Sequence, residues 1–279
     1  MKKIRICILF LTTFSIFIMF NFAFAKTHES LVNDYTEISG LNEILSTLPG
    51  QIEAVSAQRL LTSENPVLEK KVASIFKSNF NITLVQQNLK SYLLQNTDKK
   101  LLTDLIEWMK TPLTSKIKAE ELSSSKPESQ ADLLRYLADL QSNPPSQERI
   151  ATIQEVEKVT NLTDFSTRII VEMMRGFIVA FNLVMPEEKK QTMNEIEDQI
   201  NKTRPILQES MRRQMILTCF YSYRNISNEE LAEYIKFYRT NTGQEEIKII
   251  GNALSYVLKQ WFVDSGKKIA LMAEEEAKK

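Results

Sequence analysis

Histidine is almost missing from this chain. Among 279 residues there is one, His28, and there are two cysteines, Cys7 and Cys219. A zinc site draws its ligands chiefly from several Cys and His side chains, so no metal site is expected. A Ser–His or Cys–His mechanism would have to run through His28. No G-x-S-x-G, H-E-x-x-H, P-loop or G-x-G-x-x-G pattern occurs, which removes the common nucleophile, zinc, phosphate and dinucleotide signatures. No catalytic residue and no cofactor is therefore expected, and the chain reads as non-enzymatic. The carboxylate pairs Glu187/Glu188 and Glu195/Asp198 lie in strongly charged helical stretches and read as solvated faces.

Charge of one sign is missing too, with 35 basic residues against 35 acidic ones. Such a balance supplies no electrostatic reason for a nucleic-acid partner. Glycine and proline are sparse, at six and eight, and apolar residues recur at helical rather than alternating spacing. Both point to an all-α chain.

The long apolar run is at the N-terminus. Lys2, Lys3 and Arg5 precede an apolar stretch from Ile6, and Ala23-Phe24-Ala25 forms an A-x-A site. This is the pattern of a secretory signal peptide, residues 1–25, cleaved after Ala25. A retained membrane anchor is the alternative, since the run is close to bilayer length. Cleavage predicts a periplasmic or secreted protein without a membrane span, and leaves Cys219 alone and unable to form an intramolecular disulfide. Set among Leu217, Phe220 and Tyr221, Cys219 is expected to be a buried, inert thiol.

What is present is a repetition. Residues 92–111 lie without a gap over residues 221–240, 129 positions later, with Tyr92/Tyr221, Asn96/Asn225, Leu102/Leu231, Ile106/Ile235 and Thr111/Thr240 identical. Leu102, Leu105, Ile106 and Met109 form one apolar helical stripe, and Leu231, Tyr234, Ile235 and Tyr238 form its counterpart. Asp98 and Ser227 stand where each helix needs a cap. Upstream, residues 37–43 correspond to 158–164 at an offset of 121. There Gly40 and Asn161, types that tolerate a left-handed backbone, end one helix, and Asn42 and Thr163 can cap the next.

The expected architecture is two related multi-helix repeats packed as a helical bundle or array. The predicted division is 26–122 for the first repeat, 123–146 for a linker with a short helix, 147–263 for the second repeat, and 264–279 for a charged C-terminal tail that continues from Lys267 as a frayed helix. Helices are expected near 187–201 and 205–224, with Pro186 and Pro205 in first-turn positions.

The second copy reads Glu229-Glu230-Leu231, then Phe237-Tyr238-Arg239-Thr240-Asn241-Thr242-Gly243. The first reads Trp108-Met109-Lys110-Thr111-Pro112-Leu113-Thr114-Ser115-Lys116. Together they resemble the Phe-Tyr-x-Ser-Pro-x-Gly-x-Lys signature of an exported bacterial all-helical domain-of-unknown-function family, DUF2059. Asn241 stands at the usual proline and Thr114 at the usual glycine. The helix from Arg149 to Asn161 is a further point of similarity. The resemblance implies an exported all-α protein and carries over no catalytic residue.

One polar set stands out. The segment 165–185 is apolar on nearly every side, yet it holds Arg168, Glu172 and Arg175 at spacings that place all three on one side. They read either as a structural ion-pair network or as polar groups of a ligand cavity walled by Met173, Phe177 and Phe181. Two functions follow as expectations: a cell-envelope protein acting through protein contacts, or a periplasmic carrier or sensor of an apolar small molecule or lipid.

Overall fold

The computed structural model describes residues 26–60 and 66–277. The expected targeting segment lies outside them. Twelve α-helices and no strand occur among the described residues, so the chain is all-α. The first half contains α1 (His28–Ile38), α2 (Leu41–Leu60), α3 (Pro66–Asn79), α4 (Ile82–Asn96), α5 (Lys99–Met109) and α6 (Pro112–Ser125). After α7 (Gln130–Ser142) come α8 (Gln147–Thr160), α9 (Leu162–Val184), α10 (Met193–Ser222), α11 (Asn228–Tyr238) and α12 (Asn241–Ala277).

Helix ends follow local chemistry. Asp98 accepts a hydrogen bond from the Leu101 N–H at 2.8 Å, and Ser227 forms a reciprocal capping box with Glu230. Gly40 (φ 75°) and Asn161 (φ 55°) adopt the left-handed backbone between α1 and α2 and between α8 and α9. Asn42 and Thr163 do not cap. The next helices begin one residue earlier, so Asn42 Oδ1 and Thr163 Oγ1 fall inside the first turn, buried without hydrogen-bond partners.

Two stretches depart from expectation. Pro205 does not start a helix but lies inside α10. Its missing N–H frees the carbonyl of residue 201, and both residues are exposed where water can take that carbonyl. Only a 3-10 turn forms at Glu187–Lys189, and α10 begins at the Thr192–Glu195 capping box. Further on, α12 continues through Ala277, so the charged tail is helical as expected but docked instead of frayed. Ser265, Ile269 and Ala270 are buried, so an apolar stripe persists among the charges and keeps the helix docked.

The cores do not follow the sequence division, because α6 and α12 are exchanged between halves. Ala253, Leu254, Val257, Leu258, Trp261, Phe262 and Ile269 of α12 complete the core of α1–α5, and Trp261 Nε1 donates to the Phe76 carbonyl at 3.0 Å. In return, Ile117 of α6 completes the core formed by α8, the end of α10 and α11. Lys116 Nζ meets Glu230 at 2.7 Å and Ser124 meets Ser222 at 2.7 Å. The halves also touch through paired positions of the sequence repetition: Trp108 stacks on Phe237 with centroids 4.2 Å apart.

Helices α9 and α12 run side by side in the same direction. At Gly176 a Cβ would come within 3.1 Å of the Phe262 backbone, so α9 approaches α12 backbone to backbone there. Gly243 in the first turn of α12 has a similar role. A Cβ there would lie 2.6 Å from the Phe237 carbonyl oxygen, so this glycine seats α11 on α12 instead of merely breaking a helix. At the paired position, Thr114 donates its hydroxyl to the Trp108 carbonyl at 2.5 Å.

Candidate functional site

The polar set singled out on α9 separates in three dimensions. Arg175 pairs with Glu172 at 2.5 Å and with Glu197 of α10 at 2.7 Å, tying the two helices together. Hydrogen bonds donated first to Glu197 and then to Glu172 hold the Arg175 guanidinium above its ordinary range. Arg168 instead donates to Asn252 Oδ1 on α12 at 3.0 Å. Met173 is half-buried against the first core. The side chains of Phe177 and Phe181 lie outside the described residues. The described members of this set stand apart from the chain's main cavity, and the Glu172–Arg175–Glu197 group serves as a structural ion-pair network.

The main cavity lies where the exchanged helices meet. It encloses about 460 Å³, within the usual size range of small-molecule sites. Its walls are mostly aliphatic. They come in pairs related by the sequence offsets: Ser39 and Thr160, Leu41 and Leu162, Ile44 and Phe165, Leu48 and Ile169 at 121; Met109 and Tyr238, Ile117 and Glu246, Lys118 and Ile247, Glu121 and Ile250 at 129. The two helix joints at Gly40 and Asn161 thus bring corresponding residues to one space. The polar groups are not paired in kind. The carboxylate of α6 stands at 121 and that of α12 at 246, each matched by an isoleucine at the other helix's corresponding position.

Glu246 is 2% exposed. Its Oε1 accepts from the Tyr35 hydroxyl at 2.9 Å, while its Oε2 is buried without a hydrogen-bond partner. Burial raises its carboxyl to about 7; Tyr35 and Tyr238 oppose that rise and the charge of Glu121 adds to it. On Glu121, the Tyr223 and Tyr234 hydroxyls both arrive at Oε1, at 2.7 and 3.3 Å. Burial raises that carboxyl as well, against the pull of these two bonds. Burial first and the adjacent carboxylates second push the Tyr35, Tyr223 and Tyr234 hydroxyls well above the usual phenol range, so all three remain neutral donors. Lys118 lines the cavity but directs its ammonium to the carbonyls of Glu37 and Ile38 at the end of α1.

Other polar residues near the site hold its frame. The Arg149 guanidinium donates to the carbonyls of Tyr223 and Ile226, closing the end of α10. Cys219 is buried, and burial, then Glu121 and Glu157, raises its thiol to about 12, so it is inert at neutral pH. No cluster of His, Cys, Asp and Glu suited to a metal ion occurs among the described residues, and no described helix is long and apolar enough to cross a membrane.

In the sequence, Gln244-Glu245-Glu246 has the look of an ordinary charged helix start, which hides Glu246. A signal was available: Glu246, Ile250, Ala253 and Val257 share one helical face, so a carboxylate opens an apolar stripe. The partner Tyr35, 211 positions away, left no such mark. No family model, curated protein or solved structure matches the chain.

Proposed function

We propose that this is an exported helical protein that binds an apolar small molecule in the cavity between its exchanged halves. One observation carries this reading: an aliphatic cavity of about 460 Å³ is lined by Glu246, whose buried Oε2 lacks a hydrogen-bond partner, and by Glu121, with no basic side chain acting on either carboxylate. An unpartnered buried polar atom is costly to keep, and a ligand group can relieve that cost. Such a combination of apolar walls and a few orienting polar groups is typical of ligand sites. Export rests on the N-terminal pattern, and binding rather than turnover rests on the missing catalytic signatures. Action through protein contacts drew on stacked repeats with a long open face, and intertwined halves take weight from it.

Native mass spectrometry of protein purified without detergent tests the reading. The expected result is an excess mass over the denatured chain, or stoichiometric uptake of the neutral apolar dye N-phenylnaphthylamine. Ile250→Phe, which fills the cavity from α12, should lower dye affinity at least tenfold while the chain still melts cooperatively. A bare native mass together with no dye uptake would refute it.

A further inference from the structure

The polar end of the cavity has a one-sided inventory. The hydroxyls of Tyr35, Tyr223 and Tyr234 are already donated to carboxylates, the Tyr238 hydroxyl bears on Glu246, and the Lys118 ammonium is committed to helix-end carbonyls. What remains is the negative charge of two carboxylates, Glu121 and Glu246, which line one apolar cavity with no basic side chain acting on either. An ionised carboxylate accepts and cannot donate, and Glu246, which keeps its proton up to about pH 7, is ionised above it. A ligand headgroup that only accepts, such as another carboxylate, would meet two like charges. A headgroup that donates and carries positive charge would offset both glutamates. Tyrosine rings beside them, with Tyr234 and Tyr238 packed edge to face at 4.8 Å, favour a cation over a neutral alcohol.

We propose that the ligand is a lipophilic amine, its ammonium held at the Glu246 and Glu121 carboxylates and its hydrocarbon part among Leu41, Leu45, Phe165 and Leu254. This rests on the small-molecule reading above and specifies its chemistry. The bound ammonium donates to these carboxylates, and the apolar walls take a chain or ring of moderate size. The asymmetry of the paired positions sets the ligand's direction, since both carboxylates lie on the tyrosine side, whereas Phe165 and Ile169 of α9 offer only apolar surface.

Three probes with one tail separate the possibilities. Octylamine, octanol and octanoate are titrated at pH 8 against N-phenylnaphthylamine bound to the full chain. Octylamine should displace the dye at a concentration at least tenfold below octanol, with octanoate weakest. Glu246→Gln should bring the amine-to-alcohol ratio close to one. If that variant does not fold, Glu121→Gln supplies the same comparison. Glu172→Gln, in the ion-pair network outside the cavity, should leave the ratio unchanged. Equal or better displacement by octanol or octanoate would overturn the amine assignment while leaving a small-molecule site in place. So would an amine preference that persists in both cavity variants. Failure of the dye itself to bind refutes the site, and the ligand class with it.

Discussion

Glu246 makes a sharp prediction about stability and pH. The groups around it are Tyr35 of α1, Lys118 and Glu121 of α6, Tyr223 at the end of α10, and Tyr234 and Tyr238 of α11. In the folded, ligand-free chain its carboxyl holds a proton up to about pH 7, against an ordinary value of 4.5. Between those values the folded chain binds more protons than the unfolded one, so stability falls as pH rises. The favourable contribution is fully present below 4.5 and is lost on passing through 7. At about 1.4 kcal/mol for each tenfold change in proton affinity, the loss amounts to about 3 kcal/mol. Glu246→Gln keeps an acceptor for Tyr35 and cannot ionise. It should match the parent near pH 5 and exceed its stability by about 3 kcal/mol at pH 8. Urea unfolding of ligand-free protein at the two pH values measures this directly. If the parent loses no more stability than the variant between pH 5 and pH 8, the carboxyl is not buried and uncompensated as described.

Other perturbations follow from the packing. Gly243→Ala would drive a Cβ into the Phe237 carbonyl oxygen and should cost about 1–3 kcal/mol in a thermal or urea melt. Gly251→Ala, where the nearest atom is an Arg168 nitrogen at 3.4 Å, should instead be neutral or stabilise by up to about 1 kcal/mol through helix propensity. Ile269→Ala should cost about 2–4 kcal/mol, because Ile269 is 3% exposed in the first core; a frayed C-terminal tail would show no loss. Glu172→Gln should cost about 1 kcal/mol or less, since the pair with Arg175 is partly solvated. Its dye affinity should equal the parent's in the displacement titration.

Much of the helical framework was legible in the residues because helix formation is a local affair. The stripes Leu102-Leu105-Ile106 and Leu231-Tyr234-Ile235 are buried as their spacing implies, Asp98 and Ser227 cap the helices that follow them, and Gly40 and Asn161 take the left-handed backbone. Each of these depends on groups within about one helical turn. Pro205 and the stretch after 263 misled because propensity sets only a bias: exposure lets a freed carbonyl find water, and a few apolar residues such as Ile269 hold a charged segment against a core. The exchange of α6 and α12, the cavity it encloses and the surroundings of Glu246 belong to tertiary structure alone. They depend on contacts such as Tyr35 with Glu246 and Trp261 with Phe76, 211 and 185 positions apart. A helical face records that it is apolar; which half of the molecule covers it is decided when the chain packs.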